Sequence, residues 1–206
     1  ALTIFTQEAK ARLCDPAFRE QVDPGAAESR MIAEYEREDL REPLDRMLAC
    51  DIETYLPGDL LPKVDRATMS CGLEGRSPLL DHPLMEFAAS LPASVRFAGG
   101  SLKTLLRRVA GPLIPAAALN RPKQGFAAPA EVWFRAELRQ FTRETLLGPE
   151  ARGRGFFRPR AVEALLREHE SGRQRHHHRI WALLCLELWF RTFLDRPNPD
   201  SGPLSL

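Results

Sequence analysis

What the sequence lacks already excludes several classes of protein. Its four cysteines, Cys14, Cys50, Cys71 and Cys185, are widely scattered, with no CxxC pair and no histidine at metal-ligand spacing from any of them. They read as reduced thiols, some of them core-filling, in a cytosolic protein. No run of about 18 apolar residues occurs, so nothing is expected to span a bilayer. The N-terminal Ala1-Leu2-Thr3-Ile4-Phe5 has no basic stretch followed by an apolar core, so no secretion signal is read there and a cytoplasmic location is expected. It also has no initiating Met, which implies either processing or a start inside a longer protein. Charge of one sign is missing too: 29 Lys and Arg face 28 Asp and Glu, a formal net charge of +1. Whole-chain electrostatics therefore give no reason to expect nucleic acid or an anionic membrane surface as a partner. No GxGxxG, Walker-type GxxxxGK(S/T) or GxSxG motif, internal repeat or long alternating strand is present.

What is present suffices for a core: three Trp, eleven Phe and 44% hydrophobic residues in a chain of 206. Arg greatly outnumbers Lys, which suits planar recognition of carboxylates or phosphates but is read here as the mark of a GC-rich genome. The apolar spacing is that of helices. Thr6 is a candidate N-cap for a short helix ending near Asp15-Pro16. Residues 24–37 read as a loop leading into helix. Leu40, Leu44, Met47, Leu48, Ile52 and Leu56 make one stripe at 3.6-residue spacing, so a helix is expected over about 39–56, stopped by Pro57-Gly58. Pro43 is tolerable there only in a first turn. A second helix is expected from Asp59, as its cap, to Leu73, with Pro62 in the first turn. Arg76 to Asp81 reads as an extended segment and turn, and Asp81 caps a helix from His82 to Ser90. Further helices are expected at about 102–109, 129–147, 159–171 and 178–195, with a turn at Ala98-Gly99-Gly100. The Pro/Gly/Ser-rich tail from residue 197 should be loose. The expected fold class is mostly α.

Chemistry-bearing residues are densest from Lys63 to Pro78. Asp65, Met69 and Gly72 share a helix face that takes in Leu61 and Leu73, and an acid beside apolar side chains is expected to be paired, with Lys63, Arg66 or Arg76 as partner. A solvated helix face is the plainer account of the same spacing. In Arg121-Pro122-Lys123-Gln124-Gly125-Phe126, Lys123 offers a mobile ammonium for phosphate, and Gly125 allows close approach of the backbone to a ligand. Taken alone, such a lysine is more often merely solvated. His176-His177-His178 do not share a helix face, and Arg173, Arg175 and Arg179 surround them. They are read as a surface linker rather than a metal site.

The segment Thr54–Ser70, Thr-Tyr-Leu-Pro-Gly-Asp-Leu-Leu-Pro-Lys-Val-Asp-Arg-Ala-Thr-Met-Ser, followed by Leu73-Glu74-Gly75-Arg76-Ser77-Pro78-Leu79-Leu80-Asp81, closely resembles the asparagine-synthetase domain, whose usual form is (L/I)(V/T)KxDRxxMxxxxExRxPxLD. Lys103-Thr104-Leu105-Leu106-Arg107 matches that family's KxLLR. Arg121–Phe126, with Pro129 and Trp133, matches its RPKxGFxxPxxxW. Four blocks in the right order, within about residues 40–195, are far more specific than any one alone. Their wording is similar to amidotransferases of bacterial exopolysaccharide and exosortase-associated gene clusters.

The resemblance implies an enzyme that activates a carboxylate with ATP and Mg²⁺ as an acyl-adenylate, then forms an amide with ammonia drawn from glutamine. It implies that Lys123 contacts the phosphates, and that Glu74 occupies the position of an acid that assists proton transfer in lactam-forming relatives. It places Asp65, Arg66, Lys63 and Gly125 along the substrate and nucleotide site, with Arg76 and Asp81 as structural supports; no metal ligand is assigned in this chain. The departures are equally informative. An N-terminal glutaminase with its leading Cys, the SGGxDS pyrophosphatase loop and a later SGxGxDE segment all have no counterpart here. The expectation is therefore residues 1–196 as the helical C-terminal part of an α/β adenine-nucleotide α-hydrolase-like (ATP pyrophosphatase) synthetase domain, with most of the parallel sheet missing. Residues 197–206 form the tail. Such a chain, without its upstream half and glutaminase, should be inactive alone and bind no nucleotide tightly. Small-molecule substrates are expected, and a homo-oligomer is left open. The rival reading is a non-catalytic helical interaction module derived from the same fold.

Overall fold

Residues 4–98, 103–122 and 128–195 are described by a computed structural model of the chain. In chain order the helices are α1 (Gln7–Leu13), α2 (Pro16–Arg19), α3 (Ala26–Tyr35) and α4 (Pro43–Cys50). A wide π-type helix, Asp51–Leu60, runs directly into α5 (Leu61–Met69). There follow a 3₁₀ turn (Pro78–Leu80), α6 (His82–Ser90), α7 (Ala93–Arg96), α8 (Thr104–Ala110) and α9 (Ala116–Leu119). Then come α10 (Ala130–Trp133), α11 (Arg139–Leu147), α12 (Pro149–Gly153), α13 (Pro159–Glu170) and α14 (His177–Phe193). An antiparallel bridge between Cys14 and Phe157 is isolated, and the described residues form no β-strand. The mostly helical expectation holds. No helix among the described residues is long and apolar enough to cross a membrane.

The chain divides into two compact units, one of residues 25–124 and one combining 2–24 with 125–206. The second contains the core: Leu13, Phe134, Leu146, Val162, Leu166, Ile180, Leu183 and Leu184. Its two longest helices show why. On α13, Val162, Leu166 and His169 lie four and three residues apart and are all buried; on α14, Ile180, Leu183, Leu184 and Glu187 repeat that spacing. Thr6 caps α1 as expected, its hydroxyl accepting the Ala9 N–H at 3.2 Å. At the other end of α1, the Arg158 guanidinium donates to the carbonyls of Ala11 (3.1 Å) and Cys14 (3.0 Å), satisfying groups that a helix terminus leaves orphaned.

The unit of residues 25–124 is built differently. Among its described residues Cys50 alone is buried. Leu73 is 62% exposed, Phe87 60%, Val109 62% and Leu113 78%. Its helices are joined by isolated polar contacts, for example the ion pair of Arg96 with Asp45 and the Cys50 thiol donating to the Met31 carbonyl at 3.7 Å.

Several sequence expectations are corrected. Pro57-Gly58 does not stop a helix: the backbone widens to i→i+5 bonding, in which the proline's missing N–H and bulky ring are accommodated, and continues through Leu60. Asp59 therefore lies within this segment rather than capping α5. Pro43 does sit in the first turn of α4, and Pro62 in that of α5. The loop expected before residue 37 is largely α3. The single helix expected over 129–147 is broken at 134–138, where the Leu138 N–H reaches back to the Trp133 carbonyl at 2.8 Å and the chain turns to bury both Phe134 and Leu146. The turn expected at Ala98-Gly99-Gly100 and the tail from residue 197 fall wholly or mostly outside the described residues.

Candidate functional site

The candidate residues from Lys63 to Asp81 are held on α5 and the segment that folds back along it. Helix α5 ends in a Schellman turn: the Leu73 N–H donates to the Thr68 carbonyl at 3.0 Å and the Gly72 N–H to Met69 at 2.9 Å. Gly72 takes the left-handed conformation this turn requires, with φ of 69°. The reversal lays Gly75 against α5, where a Cβ would meet Thr68 Oγ1 at 3.3 Å and Val64 Cγ1 at 3.6 Å. A short chain path thus brings Glu74 and Arg76 beside the helix that carries Lys63, Asp65 and Arg66.

The pairing there differs from the expected one. Arg76 forms a two-pronged pair with Glu74, Nε to Oε1 at 3.1 Å and Nη2 to Oε2 at 3.0 Å. Lys63 Nζ lies 3.4 Å from Asp59 Oδ1, one turn earlier. The Asp65 carboxylate is exposed and has no ion pair among the described residues, so the buried, partnered acid expected from the stripe is corrected to the solvated one. The physical reason is that Leu61, Met69 and Leu73, the apolar neighbours assumed to bury it, are themselves exposed. Arg66 is exposed as well. Asp81 stands at the N-cap of α6, as expected, but through its backbone: its carbonyl accepts the Met85 N–H at 2.9 Å and its side chain makes no capping bond.

Lys103, the lysine of the KxLLR block, is the N-cap of α8 and the sole non-glycine among the described residues with positive φ, at 59°. That conformation costs an ordinary side chain roughly 1 kcal/mol. Lys123 and Gly125 lie outside the described residues, which stop at Pro122 and resume at Ala128. Among the described residues no group of three or more His, Cys, Asp or Glu is arranged to hold a metal ion.

Sequence reasoning missed two polar clusters, both in the other unit. Glu187, buried on the apolar face of α14, accepts from Arg154 at 2.6 Å and from Arg191 at 2.8 Å, and Arg154 also bonds Asp195 at 2.5 Å. The pair with Arg154 holds the Asp195 carboxyl below the usual carboxylate range. The available signal was a glutamate in register with Ile180, Leu183 and Leu184. The second cluster is His169 and His176, which are buried; His176 Nε2 lies 2.9 Å from Glu168 Oε2. The surface-linker reading of residues 176–178 is thereby corrected, because His176 closes onto α13 and His177 starts α14. A cleft of about 370 Å³ beside His176, lined also by Arg12, Arg179 and Glu168, belongs to this unit and includes no motif residue.

The described residues thus place a Lys-x-Asp-Arg helix, a Glu-x-Arg turn and a helix with Asp81 at its N-cap in one helical unit. The sequence model of the asparagine synthase family matches residues 5–191, and the chain belongs to that family. Proteins of Mycobacterium bovis and Mycobacterium tuberculosis that carry the provisional name asparagine synthetase (glutamine-hydrolyzing) are 37% identical over 155 residues, which is 75% of this chain and 24% of theirs. Asparagine synthetase (glutamine-hydrolyzing) 1 of Bacillus subtilis is 31% identical over 153 residues, 74% of this chain and 24% of that protein. The chain thus spans about a quarter of the length of the curated relatives it matches. No solved structure matches it significantly.

Proposed function

We propose that this chain supplies the helical C-terminal portion of the synthetase domain of an ATP-dependent, glutamine-using amidotransferase, residues 1–196 being that portion and 197–206 its tail. The parallel sheet and the phosphate-binding loops of an ATP-pyrophosphatase-like domain would come from sequence outside it, and ammonia from a glutaminase domain. One observation carries this reading: the unit that bears the family motifs has apolar side chains on nearly every helix and almost nothing to bury them. Amphipathic helices with uncovered apolar faces are half of a layered structure and imply a further layer. The retained Lys-x-Asp-Arg helix and the Arg121–Phe126 block point to a catalytic rather than a merely structural remnant. By the names of its relatives, aspartate is the first acceptor to test; a sugar or peptide carboxylate, by resemblance to the exopolysaccharide-associated amidotransferases, is the second.

In this reading Lys123 faces the phosphates and Glu74 the reacting carboxylate, with Lys63, Asp65, Arg66 and Gly125 lining the site. Arg76 holds Glu74 in place, and Asp81 supports the turn beyond it. In the full-length protein Lys123→Ala should lower turnover by about 10²–10³-fold with thermal unfolding unchanged, the scale seen when one preorganised electrostatic contact is removed. Near-normal turnover in that variant would reduce the chain to a non-catalytic helical module. Calorimetric titration of Mg-ATP into the 206-residue chain should show no binding. Binding that disappears in Lys123→Ala would mean that these helices form a phosphate site unaided, and the incomplete-domain reading would go.

A further inference from the structure

His169 is fully buried in the last turn of α13, and its ring joins three elements. Nδ1 accepts the backbone N–H of His176, the residue before α14, at 3.2 Å. Nε2 lies 3.2 Å from the carbonyl oxygen of Glu131 in α10. A backbone N–H can only donate and a carbonyl can only accept, so the two contacts select one neutral tautomer, with the proton on Nε2. A second proton would have to sit on Nδ1, directed at the His176 N–H.

The surroundings give that proton little compensation, Glu131 being outweighed by burial and Arg135. On the α10 side, Arg135 donates from Nε to the His169 carbonyl at 2.9 Å, and the Glu131 carboxylate is engaged by Arg135 (3.0 Å) and Arg175 (3.4 Å). On the α14 side stands the His177 ring, 6.4 Å away, with a buried Nδ1 that has no hydrogen-bond partner among the described residues; the His178 ring lies tilted against it, centroids 4.1 Å apart. On α13 itself, Glu168 is occupied by His176, and Glu170 by Arg139 and Arg143. Phe134 closes the pocket edge-on. Burial first, and Arg135 second, hold the His169 imidazole below the ordinary histidine range, and burial with His178 does the same for His177.

We propose that His169 is a proton-operated latch: neutral, it ties the start of α14 to α10, and a second proton on its ring, at Nδ1, breaks the bond to the His176 N–H and frees the start of α14, while Nε2–H still donates to the Glu131 carbonyl of α10. α10 itself begins at Ala130, shortly after the Arg121–Phe126 block in the sequence. Any bearing of the latch on catalysis rests on the function proposed above, whereas the latch does not. The direction of the effect follows from linkage. The folded-state pKa lies below the unfolded value of about 6.5, so the unfolded chain binds more protons below that pH. The latch contributes fully above about pH 6.5 and is lost as the pH falls toward the depressed folded value.

The test is side-chain ¹⁵N NMR of the histidines in the 206-residue chain, with amide hydrogen exchange followed from about pH 8 to about pH 5. At neutral pH His169 should show the Nε2–H tautomer. On acidification, protection of the His176 amide, corrected for intrinsic exchange, should fall by about tenfold in step with protonation of the ring. His169→Asn, whose Oδ1 can accept the same N–H but does not titrate, should remove the step. A doubly protonated ring at neutral pH, protection of His176 that ignores pH, or a step that survives in the Asn variant would each overturn the latch. If the Asn variant fails to fold, the tautomer and the wild-type exchange step still decide. A clear step together with an active full-length Lys123→Ala protein would keep the latch and discard the site.

Discussion

The two units of this chain use the same helical grammar to opposite effect. In the unit of residues 2–24 and 125–206, helix faces at 3.6-residue spacing meet one another, and Ile180, Leu166 and Phe134 are at most 2% exposed. In the unit of residues 25–124 the spacing is equally regular, yet Met47, Ile52, Val64 and Leu73 remain exposed. The difference teaches that amphipathic patterning specifies which side of a helix will be covered but not what covers it. The uncovered unit is the one that carries the Lys-x-Asp-Arg and Glu-x-Arg motifs. That is the arrangement the proposed reading requires, in which a further layer covers these faces.

The chain offers a spectroscopic way to sharpen that contrast. Trp133, Trp181 and Trp189 all lie in the cored unit and both tyrosines, Tyr35 and Tyr55, in the other. During urea unfolding, helical circular dichroism should therefore begin to fall before tryptophan emission changes. Coincident transitions would mean that the two units share one cooperative fold after all. On that background the largest effect is expected from Phe134→Ala, which removes a fully packed ring and should destabilise the cored unit by about 4 kcal/mol in tryptophan-monitored denaturation. A loss below about 1 kcal/mol would show that this core is loose. Next comes Glu187→Gln. It leaves Arg154 and Arg191 with one charged acceptor fewer inside the protein, at a cost of about 3 kcal/mol, since breaking a buried pair strands the remaining charge. Chemical denaturation of that variant at neutral pH is the check, and a neutral result would mean that Asp195 and water replace the lost carboxylate. Smallest is Leu73→Ala, which should change the stability of the 206-residue chain by no more than about 0.5 kcal/mol, because the side chain is already in water. In the full-length protein the same substitution should cost about 2 kcal/mol or more if a further layer buries it. Equal and negligible losses in both settings would remove the main support for a missing layer.

Much of the fold was legible from spacing alone. Thr6 as a cap, α6 from His82 to Ser90, and the extents of α13 and α14 follow from local chemistry: a hydroxyl before a helix, prolines in first turns and regular apolar repeats. Where reading along the chain failed, non-local packing had decided. Pro57-Gly58 reads as a stop, but the backbone can widen instead of ending. The break at residues 134–138 carries no glycine or proline to announce it; it exists because Phe134 and Leu146 must both reach one core. The candidate site was legible as a motif and not as a geometry. The types and order of Lys63, Asp65, Arg66, Glu74, Arg76 and Asp81 match the family, while the choice of Glu74 rather than Asp65 as the partner of Arg76 depends on how the chain turns after Gly72.

By itself the sequence determined the family, the helical class and the residues that bear the motifs, because each of these is written in residue type and short-range spacing. Only the tertiary structure decided that one unit encloses a core and the other does not, that Glu187 and His169 are interior groups, and that Asp65 stands in solvent. Those outcomes depend on which surfaces meet, and burial is set by neighbours distant in the chain rather than by the residue that is buried.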